Sequence, residues 1–286
     1  MIKAVVLDID GVIVGTKKGI NLPNPDPRVC QALRKVHESG IPVVFVTAKT
    51  SFAASKNIKF VGIDNPHIAD SGAVLFNPVR GEFIDVKSIS PIDISHIISS
   101  TPNNMLINLF TAKDYYVLKK LQEKYPEFVK KYGDFMQKMP IAVENFDQVV
   151  ENEKVIKINI YAFSFEEKKK LTEEIFKSKG KFTYKWASNP HLTPVEVMVI
   201  TALGVSKRSG VETLANKLKV STEEILGVGD MLQDWDFIEV CGYKATLKNG
   251  SKELKEKLDF SDEKQFMGGH VDDEGILDIL KHFKLL

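Results

Sequence analysis

Two short acidic motifs hold the residues best suited to chemistry. Asp8-Ile9-Asp10-Gly11 closes the apolar run that begins at Lys3, and Gly229-Asp230 closes the run Ile225–Val228, with Asp234 four residues further on. Thr47 ends a third apolar run, Ile41–Val46, and Lys207 stands in Gly204-Val205-Ser206-Lys207, just ahead of a helical pattern. If the three runs are strands of one parallel sheet, their polar ends share the rim where open α/β sheets bind ligands. Carboxylates gathered at such a rim cannot all ionise comfortably without a cation. An oxygen-only donor set suits a hard ion, Mg2+ ahead of Ca2+ or Mn2+. Lys207 adds a further positive charge.

That arrangement suits phosphoryl transfer. A carboxylate nucleophile can form an aspartyl-phosphate and divide hydrolysis into two easier steps. Asp8 fits this role because it ends its strand directly and is held rigidly. Asp10 can protonate the leaving oxygen and later deprotonate the attacking water, while its backbone carbonyl faces the metal. Thr47, helped by the Ala48 amide, can hydrogen-bond a phosphoryl oxygen. Lys207 offsets charge on Asp8 and on the phosphate. Asp230 would ligate Mg2+, and Asp234 would hold Asp230 or a metal-bound water.

The elements that must position these residues follow from pattern. Lys3–Asp8 is a short β-branched run and reads as a buried parallel strand. Asp26-Pro27 is a helix start, with Asp as N-cap and Pro first in the helix. Val29, Leu33 and Val36 then line one face, and Ser39-Gly40 closes the helix. A helix near Ser51–Ile58, a strand at His67–Ala69 and a hairpin of Ala73–Phe76 with Glu82–Ile84 come next. From 87 to 188 the chain reads as a separate α/β unit. It has strands at Met105–Leu109, Val155–Tyr161 (alternating, so half-buried) and Phe182–Ala187, and helices at Asp114–Lys131 and Glu166–Lys179. The βα rhythm then resumes with a strand Val195–Thr201, a helix Ser209–Leu218, the strand Ile225–Val228, a last strand Tyr243–Leu247 and a closing helix Ile276–Phe283. The expected fold class is α/β. Residues 1–86 and 189–286 form a Rossmann-like parallel-sheet core, and 87–188 form a smaller inserted α/β cap domain.

Composition agrees with an enzyme of small metabolites. The 286 residues are 43% hydrophobic, ample for a sizeable core, and the formal net charge of +1 gives no basic field for nucleic acid. No apolar run of about 20 residues spans a membrane, and Asp8 and Asp10 interrupt the apolar N-terminus, so a cytoplasmic enzyme is expected. Cys30 and Cys241 are the only cysteines, which excludes a disulfide framework or a zinc cluster. With only Arg28, Arg34, Arg80 and Arg208 present, lysine must do most of the cationic work.

Asp8-x-Asp10-Gly-Val, a hydrophobic strand ending in Thr47, Gly-Val-Ser-Lys207 and Gly-Asp230-x-x-x-Asp234 resemble, in order, the four motifs of the haloacid dehalogenase-like (HAD) phosphatases. The long gap between the second and third motifs is similar to the Cof-type, sugar-phosphatase-like subgroup, which carries an α/β cap there. The resemblance spans almost the whole chain. It implies a HAD-like core, Mg2+ as cofactor, a small phosphorylated metabolite as partner, and Gly11, Thr47, Ala48, Lys49 and Lys207 as phosphate and substrate contacts. Three departures stand out. Many relatives read Thr-Gly-Arg where this chain has Thr47-Ala48-Lys49, so Lys49 replaces an arginine. Gln233 stands at a common Asn position, and Ser71 does so within Asp70-Ser71-Gly72-Ala73.

The expected function is hydrolysis of a sugar phosphate or a phosphorylated small acid such as phosphoglycolate, with substrate entering between core and cap. A phosphomutase of the same fold, or a phosphate-metabolite sensor without catalysis, are the alternatives. A receiver-type signalling domain also groups acids, Thr and Lys around Mg2+, but is far shorter. Asp272, Asp273 and Glu274 read as acids suited to a helix N-terminus rather than a second metal cluster. His191, Trp186 and the aromatics of 105–132 read as cap core or surface.

Overall fold

Strand β1 (Ala4–Leu7) is apolar on both faces and wholly buried, as a strand between two layers must be. The computed structural model describes residues 1–177, 180–188 and 192–286. Asp26 caps helix α1 (Pro27–Glu38) by accepting from Arg28 N, with Pro27 at the first helical position. Val29, Leu33 and Val36 turn inward. Then follow β2 (Val43–Phe45), α2 (Ser51–Val61), β3 (His67–Ala69), β4 (Val74–Asn77) and β5 (Glu82–Val86). The last three strands form a small sheet in the order β3-β4-β5.

The chain divides into two compact units, residues 1–85 with 206–286, and 86–205. The second contains α3 (Pro91–Ser100), β6 (Leu106–Phe110), β7 (Tyr115–Leu118), α4 (Lys119–Lys124), α5 (Pro126–Met136), β8 (Ile141–Val143), α6 (Asp147–Asn152), β9 (Lys157–Ala162), α7 (Phe165–Lys177), β10 (Phe182–Ser188) and β11 (Glu196–Ala202). Its six strands lie in the order β10-β11-β9-β6-β7-β8. Every pairing is antiparallel except β7 with β8. One face of this sheet carries an aromatic cluster in which Tyr132 and Phe128 of α5 meet Tyr161 of β9 edge-on.

Sequence pattern misreads this unit in four places. The expected helix Asp114–Lys131 starts as strand β7, because Tyr115-Tyr116-Val117 prefer a pleated surface. The remainder breaks at Tyr125, whose backbone (φ −122°, ψ 48°) precedes Pro126. Strand β9 is buried on both faces rather than half-buried, since Asn159 and Tyr161 are buried along with Ile158 and Ile160. The expected core strand Val195–Thr201 is β11, which pairs with β9 and β10 of the second unit. That moves the return to the first unit from 189 to 206, because β11 fills the slot between two antiparallel neighbours and has no place in a parallel ladder. Of the helix expected to Lys179, the described part ends at Lys177; its end and His191 lie outside the described residues.

The first unit resumes with α8 (Lys207–Leu218), β12 (Ile225–Val228), α9 (Trp235–Ile238), β13 (Tyr243–Leu247), α10 (Lys252–Lys255), β14 (Gln265–Gly268) and α11 (Gly275–His282). Its main sheet is parallel throughout, in the order β14-β13-β12-β1-β2. β13 is therefore not the last strand; β14 covers its edge, and its Gln265-Phe266-Met267-Gly268 contains no β-branched residue to mark it in the sequence. Val6, Val44, Ile68, Val211, Leu214 and Phe237 share one buried cluster beneath this sheet, each contributing about 1.5–3 kcal/mol by burial. The chain leaves β1 toward β2 on one side and returns to β12 on the other. β1 thus marks the point where strand order reverses, and its carboxyl end opens on a crevice.

Candidate active site

Asp8 stands at that carboxyl end. Its backbone N–H donates to Val228 O at 2.9 Å, so the ladder fixes its Cα, and the residue is 8% exposed. The chain then turns tightly, with Gly11 N–H donating to Val14 O. Gly11 has φ +74°, and a Cβ there would come within 2.0 Å of Asp230 Oδ2, so no other residue fits without displacing that carboxylate.

Asp230 follows β12 in the neighbouring strand-end loop. Its backbone N–H and that of Met231 both donate to Asp234 Oδ2 at 3.0 Å. The other oxygen, Asp234 Oδ1, accepts from Lys207 Nζ at 2.7 Å. Asp234 is 2% exposed, and its carboxylate already holds the loop with one oxygen and the lysine with the other. Nearby Asp236 has a different task, accepting from Arg208 N at 2.9 Å at the start of α8.

Lys207 is the first residue of α8, two places earlier than the helix start expected at Ser209. Ser206 caps the helix in a reciprocal pair with Ser209. From there Nζ reaches Asp8 Oδ1 at 3.0 Å and Asp234 Oδ1 at 2.7 Å. Thr47, also buried, follows β2 and its Oγ1 accepts from Lys49 N at 3.1 Å; Ala48 between them is exposed. The turn Asp70–Gly72 braces this loop, with Asp70 N donating to Lys49 O and Ser71 N to Thr47 O. Asp70 Oδ2 accepts from Ser51 N, the first residue of α2. All three turn residues have positive φ, and a Cβ on Gly72 would lie 1.9 Å from Ser206 O, so this turn packs directly on the start of α8.

One carboxylate oxygen each from Asp8, Asp230 and Asp234 lies within 4.8 Å of the others. Burial, then repulsion from Asp234 and Asp10, outweighs Lys207 and lifts the Asp8 carboxyl to about 6. Burial and the neighbouring Asp8 and Asp234 lift Asp230 to about 7. Burial works against the Lys207 ammonium, but its two carboxylate partners win and hold it protonated above the usual range. Three carboxylates against one ammonium leave two negative charges uncompensated when all are ionised. Protons or one divalent cation discharge such a cluster, and a hard oxygen donor set fits Mg2+.

Asp10 stays outside the carboxylate triad. It is exposed and pairs with Lys49 Nζ at 2.8 Å, so Lys49 is directed at Asp10. Asn249, in the loop after β13, donates to Gly11 O at 2.7 Å and accepts from Val271 N at 2.9 Å. The strand-end logic that singles out Asp8, Thr47 and Asp230 also applies to Asn249, but a lone Asn in a Lys-Asn-Gly turn carries no chemistry to mark it. Asp272 is structural. It accepts from Thr16 N, Thr16 Oγ1 and Asn21 Nδ2, and these bonds, led by the Thr16 hydroxyl, hold its carboxyl well below the usual range.

A family model described as haloacid dehalogenase-like hydrolase matches residues 5–280. Among curated relatives, a phosphoglycolate phosphatase from Staphylothermus marinus is 25% identical over 262 residues, covering 91% of this chain and 90% of its own. A haloalkanoate-superfamily phosphatase from Bacteroides thetaiotaomicron superposes with a TM-score of 0.77 at 22% identity, over 100% of this chain and 96% of its own. A subclass IIB sugar phosphatase of the superfamily gives 0.71 at 19% identity, over 99% and 100%. No helix among the described residues is long and apolar enough to cross a membrane. With the family model covering all but the chain's ends and four motifs in order, the chain belongs to the haloacid dehalogenase-like hydrolases and is an enzyme of their phosphatase kind.

Proposed function

We propose that the protein hydrolyses a small phosphate monoester through an aspartyl-phosphate on Asp8. The observation that carries this reading is the bridge of Lys207 between Asp8 and Asp234, with Asp230 alongside, at the carboxyl ends of the adjacent parallel strands β1 and β12. An Asp8 oxygen attacks phosphorus as the P–O bond to the leaving group breaks. Asp10 gives its proton to the departing oxygen. The same group then takes a proton from water, which attacks phosphorus and releases Asp8 and inorganic phosphate. Lys207 and Thr47 hold the phosphoryl oxygens, and the Lys207 charge is already oriented before substrate arrives. Asp8 and Asp230 would hold Mg2+, with Asp234 keeping Asp230 and Lys207 in place; the ion would supply the two positive charges that the cluster lacks.

The substrate is proposed to be a sugar phosphate or a phosphorylated small acid such as phosphoglycolate. The support is the phosphoglycolate phosphatase among the relatives and the sugar phosphatase among the structures of like fold. The unit 86–205 is proposed as the part that selects among them. The test is phosphate release with Mg2+ from sugar phosphates, phosphoglycolate and 4-nitrophenyl phosphate. Wild type should release phosphate, and Asp8→Asn should lose at least about 10³-fold in kcat. Equal release by both proteins would eliminate Asp8 as nucleophile.

A further inference from the structure

Lys49 is pinned at both ends. Its N–H donates to Thr47 Oγ1 and its carbonyl accepts from Asp70 N. Its ammonium reaches Asp10 Oδ1 at 2.8 Å and Asn57 Oδ1 at 3.2 Å. Asn57 sits in the second turn of α2 and is 7% exposed. Its amide is used on both sides: Oδ1 faces Lys49, and Nδ2 donates to Pro23 O at 2.8 Å and approaches Asn24 Oδ1 at 3.4 Å. An ordinary surface ion pair is worth little because it must immobilise two long side chains. Here Asn57 has already immobilised the lysine, so the pair can hold an otherwise exposed carboxylate in one place.

We infer that Asn57 is a positioning residue for Asp10, acting through Lys49, and that the pair sets where the proton is delivered to the leaving oxygen. The inference rests on the acid–base role proposed for Asp10. In the step concerned, the P–O electron pair passes to the leaving oxygen and that oxygen takes the Asp10 proton. A 4-nitrophenolate leaves without needing a proton, whereas an alkoxide does not. Misplacing Asp10 therefore slows alkyl esters selectively, while general damage to the site slows both.

The experiment compares kcat/KM, which reports steps up to leaving-group departure, for glycerol phosphate and 4-nitrophenyl phosphate in the full chain with Mg2+. Asn57→Ala should lose about 10- to 100-fold on glycerol phosphate but less than about 3-fold on the nitrophenyl ester, and Lys49→Met should show at least as large a difference between the two esters. Lys49→Arg should restore most of the loss, and the double variant should be no worse than Lys49→Met alone. The nitrophenyl activity doubles as the check that each variant is folded. Equal losses on both esters, or additive losses in the double variant, would overturn the proposal. Asp10→Asn separates the two readings. If it lacks the leaving-group split, the acid–base role fails and the proposal falls with it. If it shows the split and Asn57→Ala does not, the proposal alone fails.

Discussion

Asp93 in the second unit and Asp8 and Asp230 in the first are all carboxylates drawn away from water, yet their surroundings push them in opposite directions. Asp93 accepts from Ser90 Oγ at 2.6 Å and from Lys181 N at 2.8 Å, and those bonds, the Ser90 hydroxyl first, hold it below its ordinary value. It is an acid whose charge is fully used by the fold. Asp8 and Asp230 are pushed up, chiefly by burial, because one lysine is shared among too many acids. The remaining buried polar groups of the second unit are mostly neutral, with Asn108 opposite Asn159 in register and Tyr161 beside them. Lys157 lays its ammonium 4.7 Å from the Phe110 ring centre. The lesson is that burial together with unmet charge separates a site from a core. Asp272, half-buried in the first unit, falls with Asp93 on the structural side.

The contrast can be broken most directly at Lys207. Lys207→Met should cut kcat at least about 100-fold and, in the metal-free protein, cost about 3 kcal/mol or more, because it leaves Asp8 and Asp234 without their counter-charge. Phosphate release and denaturant unfolding read the two effects. A variant with full activity and unchanged stability would show that the charge there is already met.

A smaller effect should appear in the dependence of stability on pH. Asp8 and Asp230 bind protons more tightly folded than unfolded, with folded values of about 6 and about 7 against 3.8. Their contribution is complete below about pH 4 and is lost as pH rises through 6 to 7. The melting temperature of the metal-free protein, measured against Asp230→Asn, should show wild type losing ground across that window. Added Mg2+ should remove the difference for wild type. The difference isolates Asp230 from groups common to both proteins, including His67, whose buried neutral ring, held down to about 4 by burial, acts in the opposite sense. A flat difference would mean that the acids are satisfied within the protein.

The smallest change belongs to the second unit. The Tyr161 hydroxyl is enclosed without a hydrogen bond of good geometry. Tyr161→Phe should therefore leave kcat/KM unchanged and shift stability by no more than about 1 kcal/mol, toward the more stable side. Loss of several kcal/mol on unfolding would show that the second unit, too, depends on a polar interior.

The same division explains what the sequence made legible. Asp8, Thr47, Lys207, Asp230 and Asp234 each lie next to a short apolar strand or a capped helix start, and the parallel ladder gathers their strand ends at one rim. Local pattern and global position agree there. The Asp70–Gly72 brace reaches Thr47 across 24 residues and the start of α8 across 134, so its grip on the site is set by distant contacts that no local pattern displays. The second unit is harder to read, since β11 is decided by its partners rather than by period, and the β preference of Tyr115–Val117 leads directly into a helical pattern. β11 in particular has the look of any buried strand, and only its antiparallel neighbours reveal which sheet takes it.

The separations along the chain also fix an order of assembly. Asp8 and Lys207 are 199 residues apart, and the clasp of Thr16 by Asp272 spans 256. The second unit, by contrast, is one continuous stretch. On the ribosome its sheet can close while β1 still waits for β12, because distant contacts form only after the chain between them exists. The Asp8 carboxylate therefore emerges early, and the nascent chain carries it without its counter-charge until the second unit is complete.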